Sequence, residues 1–386
     1  MDIERLLQSP ALRRKEFPIT SSRVFLAHAA TSPLPARVSS AIQKYSRGSS
    51  ARGQWEYLHA STERETRRSA AAMIGANEDE IAFMSSTSMG LSMVANGLSW
   101  RSGDNVVVAD GDFPSNIYPW MDLRRRGVET RFIPRRMDGG VGLEDLEKTV
   151  DERTRLVSLS SVNFVTGFHI DVDSVGQYLH DRGVLFCVDG IQSLGAMRTD
   201  VRHVDFLASG SHKWIMGPLG VGFLYVRKDH FAEVHPALVG WKSVRGNKAY
   251  LDYRLEFQES AQRYEPSAAT ILAIVGLHAA LGLLLETGVD RISARLGALR
   301  TIICDDLRLK GYELMSPANG PTASGITSFT ADRIDIEQLR QDLDGAGYVV
   351  SLRDSLDGRK CIRIAPHFYN TEDEIRAFLD RVPFLT

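Results

Sequence analysis

The sequence predicts an α/β protein. It reads as a large domain on a mostly parallel, mixed sheet, followed by a smaller α+β C-terminal domain. Three observations carry that prediction. Between about residues 60 and 226, short apolar runs alternate with segments of helical period. The runs are apolar throughout rather than every second residue, as in strands covered on both faces. Each is followed by a loop of small or polar residues, as at the carboxyl edge of a parallel sheet where ligands collect.

In order, Thr62-x-x-Glu65 reads as a capping box opening a helix that closes at Gly75. Residues 81–84 form a strand, and after a Ser/Thr loop a helix runs from Met89 to Leu98. Residues 106–109 are a strand, Pro114 opens a helix to about Arg126, and 130–133 are a strand. A helix over 143–150, a strand over 156–162, a helix over 173–182 and a strand over 184–188 continue the alternation, with further strands at 206–208 and 221–226. Past about Glu286, helices at 291–310, 336–346 and 372–378 mix with short strands at 327–329, 348–350 and 361–365. This change divides the chain into a large domain (18–265), a linking helix (266–290) and a small domain (1–17 with 291–386).

The 386 residues suffice for two domains. Lys plus Arg number 46 against 48 Asp plus Glu, a net charge of −2. Such a chain has no bulk grip on nucleic acid or anionic membrane, so neither is expected as a partner, and any phosphate must be held locally. Cys187, Cys304 and Cys361 stand far apart, which suggests neither a zinc ribbon nor a disulfide framework. With the charged start Met1-Asp2-Ile3-Glu4-Arg5, this predicts a cytoplasmic protein. Residues 266–285 carry no charge and approach the length of a membrane span. Pro266, Ser267, Thr270 and His278 within them favour a buried helix between the domains.

There is no GxGxxG after a strand, no GxxxxGKS/T and no HExxH, and the ten histidines lack metal-ligand spacing, so no metal is expected. Two loops stand out. The apolar run 184–188 ends in Asp189, followed by Gly190-Ile191-Gln192-Ser193. A charge there either faces a ligand or caps the next helix. Lys213, in Ser209-Gly210-Ser211-His212-Lys213-Trp214, lies between an apolar strand and the turn Gly217-Pro218-Leu219-Gly220. A lysine against apolar walls has a lowered pKa and can form a Schiff base.

Asp189-x-x-Gln192, then Ser211-His212-Lys213-Trp214 and a Gly-Pro turn, resembles the pyridoxal-phosphate site of fold-type I enzymes. It resembles specifically the class V aminotransferase family, which includes cysteine desulfurases, selenocysteine lyases and isopenicillin-N-epimerase-like proteins. Residues 25–33, 83–95, 112–120, 240–244 and 363–371 are similar to that family's other motifs in the same order. The resemblance covers nearly the whole chain and implies the pyridoxal-phosphate-dependent transferase fold of type I. It implies that Lys213 holds the cofactor aldehyde as an imine and moves the Cα proton, and that Asp189 pairs with the pyridine nitrogen. Gln192 would bond the ring 3-oxygen with help from Asn163, and Phe113 would stack on the ring. Thr87 and Ser88 would hold the phosphate, with Ser209, Ser211 and His212 closing the site. Arg363 would bind the substrate carboxylate, with Arg353 and His28 as further substrate contacts.

The sequence also departs from the family. Desulfurases carry a nucleophilic Cys on the loop matching residues 351–359, which has none here, so persulfide chemistry is disfavoured. Gly210 replaces a usual hydroxyl. In Arg263-Tyr264-Glu265-Pro266-Ser267-Ala268, Ser267 and Ala268 replace the Gly and Thr through which a partner subunit touches the phosphate, which predicts a weaker cofactor grip. The resemblance implies a homodimer with active sites at the subunit interface. The expected function is transamination or Cα/Cβ lyase chemistry on an amino-acid substrate. Cysteine desulfurase, selenocysteine lyase or epimerase activity is the alternative, and a non-catalytic binding protein of the same fold is a second.

Overall fold

The structure, a computed structural model, describes residues 1–54, 61–246, 251–268, 270–317 and 319–385. Strand β1 (Val24–Phe25) lies apart from the central sheet. That sheet comprises β2 (Ile81–Met84), β3 (Asn105–Ala109), β4 (Glu129–Ile133), β5 (Thr154–Ser160), β6 (Leu185–Asp189), β7 (Phe206–Gly210) and β8 (Gly222–Val226). Their order is β2-β8-β7-β6-β5-β3-β4, and β8 alone runs against the rest. Strands β2, β6, β7 and β8 are buried at every residue, which is why their sequences are apolar without alternation. Because six strands point one way, the loops after Met84, Ala109, Ser160, Asp189 and Gly210 all open at one edge.

Local chemistry accounts for the departures from expectation. The helix Thr62–Ile74 has Ser61, not Thr62, as its N-cap, and Gly75 closes it at φ +71°. The helix expected from Pro114 to Arg126 is instead three short turns: Pro114–Asn116, Tyr118–Met121 and Asp122–Arg126. Pro119 has no N–H to continue the first turn and disfavours helical backbone before it.

The uncharged stretch forms the helix Ile271–Thr287, buried against Ala36–Ala51 and Thr62–Ile74. No single described helix is long and apolar enough to cross a membrane; at Gly288 the chain bends 76° into Val289–Leu309. A Cβ on Gly276 would lie 2.4 Å from Pro218 Cγ, so this helix presses on the Gly-Pro turn that follows Lys213.

The C-terminal unit is an antiparallel sheet ordered β12-β13-β10-β9. Its strands are β9 (Glu313–Leu314), β10 (Thr327–Thr330), β12 (Ser351–Asp354) and β13 (Lys360–Ile364), with β11 (Tyr348–Val349) beside them. Helices Val289–Leu309, Ile336–Gly345 and Glu372–Leu379 cover it around Leu299, Ile303, Phe329, Ile362 and Phe378. Strand β1 pairs in parallel with β11, Ala27 bridges to Ala365, and Leu26 is buried in this core. Residues 24–27 therefore pack with the C-terminal unit, through a separate two-stranded pairing with β11 and the Ala27–Ala365 bridge, and lead to Ala29–Thr31, which line the cleft.

Candidate active site

Asp189 ends β6 and pairs in register with Ala208 of β7, which leads to Lys213. The Lys213 carbonyl accepts bonds from Ser32 Oγ (2.6 Å) and Met216 N (2.9 Å). Met216 sits at φ +55°, a left-handed conformation that strains a non-glycine residue and is held by the packing around it. This turn fixes the Lys213 backbone while its Nζ reaches a cleft, 5.4 Å from the Phe113 ring centroid. Burial pushes the Lys213 ammonium pKa down; Asp189 opposes this, and Arg363 and Arg353 add to it. Burial pushes the Asp189 carboxyl up, with Asp112 adding to it, against one bond from Ile191 N and the charge of Lys213. Both groups are thus moved toward their neutral forms.

The cleft has a volume of about 470 Å³, within the ~300–1,000 Å³ usual for ligand pockets. Lining it is the start of the helix Thr87–Gly97, capped by Ser86, whose Oγ accepts from Met89 N. Gly90 lets this helix lie on β7, since a Cβ there would come within 2.8 Å of Ala208 Cβ. Thr87 Oγ1 accepts from Gly210 N (2.9 Å), and Ser88 Oγ shares a bond with Ser115 Oγ (2.7 Å). The free amides and dipole of this helix end favour an anion.

Arg363, from β13 and only 1% exposed, also lines the cleft. Its Nη1 donates to the Phe164 carbonyl, while its buried Nε and Nη2 have no partner among the described residues. Burial pushes its pKa down and Arg353 adds to this, so the cation lacks an anion in a place that disfavours an unpaired charge. Arg353 lines the same cleft and donates to the Leu352 carbonyl.

Of the other residues singled out in the sequence, Phe113 and His212 line the cleft. Burial and the adjacent Lys213 lower the His212 pKa. His28 does not line it. Its Nδ1 lies 2.9 Å from the Ala365 carbonyl and its Nε2 2.9 Å from Tyr369 Oη, so both nitrogens are committed in the buried core. The pairing of Ala27 with Ala365 draws it there. Gln192 donates to the Ala29 carbonyl (3.0 Å) and accepts from Trp214 Nε1 (3.0 Å), so it braces the segment carrying Lys213. Asn163 Oδ1 caps the amides of Val165 and Thr166, a turn-forming use of the side chain. Ser209 and Ser211 donate to the carbonyls of Gly210 and Pro218.

Asp112 is a residue of the site to which the sequence motifs assign no role. Its carboxylate accepts from Ser160 Oγ (2.6 Å), Asn116 Nδ2 (2.9 Å) and the amides of Phe113 and Ser160, tying the Phe113 loop to the end of β5. Its place just after a strand, next to Phe113, was the available signal.

Residues 24–380 match the class V aminotransferase family. The chain belongs to that family. Among class V relatives, it is 32% identical to a probable cysteine desulfurase of Methanothermobacter thermautotrophicus over 94% of each chain. It is 30% identical to an uncharacterized aminotransferase of Bacillus subtilis over 97% of each. The apo structure of a cysteine desulfurase from Thermococcus onnurineus is 27% identical, with a TM-score of 0.87 over 97% of each chain. In this class V chain all three cysteines are buried and none lines the cleft. Burial pushes the Cys361 thiol up to about 11, away from the reactive thiolate.

Proposed function

We propose that this class V enzyme uses pyridoxal phosphate to act at the Cα of an α-amino acid. The chemistry is transamination or Cα/Cβ elimination, with no sulfur passed to an enzyme cysteine. The observation that carries this reading is Arg363: a buried guanidinium with two unpartnered nitrogens, sharing one cleft with Lys213. A fork of N–H donors suits a carboxylate.

The residues present fit the cofactor. An aldehyde finds an amine in Lys213, a ring nitrogen finds a carboxyl in Asp189, and a phosphate finds the helix end at Thr87 and Ser88. When bound, pyridoxal phosphate supplies an electron sink for the pair left at Cα. Arg363 Nε and Nη2 would take the substrate carboxylate and so hold the amino acid in the cleft that Lys213 lines. Lys213 Nζ would take the Cα proton, and its lowered pKa leaves more free amine for the task near neutral pH. Asp189 would hold a proton at the ring nitrogen, and Phe113, which lines the same cleft, would pack against the ring.

The name of the Methanothermobacter relative favours a sulfur amino acid as substrate. Because no thiol lines the cleft, sulfur would leave as a free product. A homodimer is supported by exposed Leu219, Leu238, Val239 and Trp241, and by Leu251 and Tyr253, each 88% exposed. A monomer in analytical ultracentrifugation that retains activity would refute it.

The test of the whole reading is direct. The purified protein should be yellow, and borohydride should leave a reduced adduct on Lys213 by mass spectrometry. A panel of amino acids, each with and without a keto-acid acceptor, then separates the chemistries. Acceptor-dependent keto acid indicates transamination; acceptor-independent ammonia or sulfide indicates elimination. A colourless protein with unmodified Lys213 overturns the reading.

A further inference from the structure

A second cavity of about 460 Å³ lies between the helix Val289–Leu309 and the segment that follows it into β10, and shares no residue with the Lys213 cleft. Its floor holds Arg300, 2% exposed. Arg300 Nη1 donates to the Asn319 side chain and Nη2 to the Pro317 carbonyl, both neutral acceptors. Its buried Nε has no partner, and among the described residues no carboxylate pairs with it. A cation stripped of water and given only dipoles is costly to keep, and an anion entering the cavity would complete it. The walls are of a different kind: Ala196, Met197, Leu296 and Pro321 offer carbon, while Ser293 and Thr301 offer hydroxyls at the rim.

We propose that this cavity binds a small organic carboxylate with an apolar body, its charged end on Arg300 and its body against Met197, Leu296 and Pro321. An inorganic anion would satisfy the guanidinium but leave the carbon walls in water. Acidic groups would compete for Arg300, and none lines the cavity. The cavity is in mechanical contact with the machinery around Lys213. Gly325, in its floor, lies against the Trp214 ring, where a Cβ would stand 2.8 Å from Cη2, and Trp214 holds Gln192. A ligand here is therefore placed to be felt at Lys213.

Benzoate is a suitable probe, titrated calorimetrically into the holoenzyme. The Arg363→Leu variant removes the carboxylate site proposed for the cleft, so that failure of that reading is not confused with failure of this one. One binding event should survive Arg363→Leu and weaken at least about tenfold in Arg300→Gln, the loss of a charge-assisted bond. Arg300 also clamps Pro317, so a second variant is needed. Gly297 lies on the exposed face of the helix, lines the cavity and has nothing within 4 Å of a built Cβ. Gly297→Leu should fill the cavity without lowering the melting temperature, because Leu favours helix over Gly. It too should weaken binding tenfold or more. Binding absent from the wild type, lost in Arg363→Leu, or unchanged in Gly297→Leu overturns the proposal. Inorganic phosphate should compete poorly with benzoate; equal competition overturns the assignment of an apolar carboxylate.

Discussion

Asp189 and Asp205 stand at opposite ends of neighbouring central strands, and their surroundings are opposite too. Asp205, just before β7, accepts from Phe186 N (2.8 Å) and lies 2.8 Å from His230 Nε2. Burial alone would raise its pKa, but these bonds overcome it and hold the carboxylate low. Asp189 has one backbone donor, Ile191 N, and burial prevails. The buried arginines divide the same way. Arg67 makes a bidentate pair with Glu265, which also accepts from Phe83 N, whereas Arg363 keeps two nitrogens unpartnered. In the scaffold, Asp205 and the Arg67–Glu265 pair are completed. Asp189 and Arg363, at the cleft, are left incomplete, and a ligand carrying a carboxylate and a ring nitrogen is what would complete them.

If that contrast is right, substitutions at the two ends should fail in different ways. Lys213→Ala should lower turnover by at least about 10⁴-fold, losing both cofactor attachment and proton transfer. Its folding stability should stay within about 1 kcal/mol of wild type, read by denaturant unfolding. Asp205→Ala should do the reverse. It should cost about 3 kcal/mol of stability by leaving a buried ion network unpaired, with kcat near wild type at ambient temperature. The pH dependence sharpens this. Asp205 has a lowered folded pKa, so its contribution is present above about pH 4 and lost as pH falls through the folded value. Burial would lower the His230 pKa, but its bonds to Asp205 and Glu233 raise it above the usual value. The contribution of His230 is complete below about pH 6.5 and lost as pH rises through the raised value. The Asp205–His230 pair is therefore worth most between about pH 4 and 6.5. Unfolding across pH should show this hump in the wild type and not in Asp205→Ala; matching profiles would break the comparison.

The same contrast explains which parts of the site are legible in the sequence. Lys213, Asp189, Phe113 and the Ser86–Ser88 helix start were legible because each follows an apolar strand, and a parallel sheet brings strand ends together. His28 was not, because its fate depends on Ala27 pairing with Ala365, a contact 338 residues away along the chain. Gln192 and Asn163 sit in the expected loops, yet their amides are spent on Trp214, Ala29, Val165 and Thr166. Strand ends place a residue at an edge; which way its polar atoms turn is decided by competing backbone groups nearby. Arg300 gave no signal, since an arginine in an amphipathic helix reads as surface.

Arg363 supplies the next test. Arg363→Lys keeps a charge but loses the fork, and should reduce kcat/KM by about 10- to 100-fold through one or more charge-assisted bonds. Arg363→Leu should also make the ligand-free protein more stable, by about 1–3 kcal/mol, because an unpaired buried cation is replaced by an apolar group. A loss of stability in Arg363→Leu would mean that Arg363 belongs with Arg67 as scaffold.

The smallest expected effects separate two adjacent hydroxyls. Thr87 is buried and its Oγ1 satisfies the amide of Gly210, a scaffold duty, while Ser88 is exposed at the cleft and bonds only the Ser115 hydroxyl. Thr87→Ala should strand a buried N–H and cost about 1–2 kcal/mol of stability in the ligand-free protein. Ser88→Ala should leave that stability unchanged and weaken cofactor retention about fivefold, the worth of one ~1 kcal/mol neutral hydrogen bond. Equilibrium dialysis against a pyridoxal phosphate series, paired with melting of the cofactor-free proteins, reads both. Equal loss of cofactor with no loss of stability in Thr87→Ala would move Thr87 from scaffold to ligand contact, and with it the line between the two kinds of buried group.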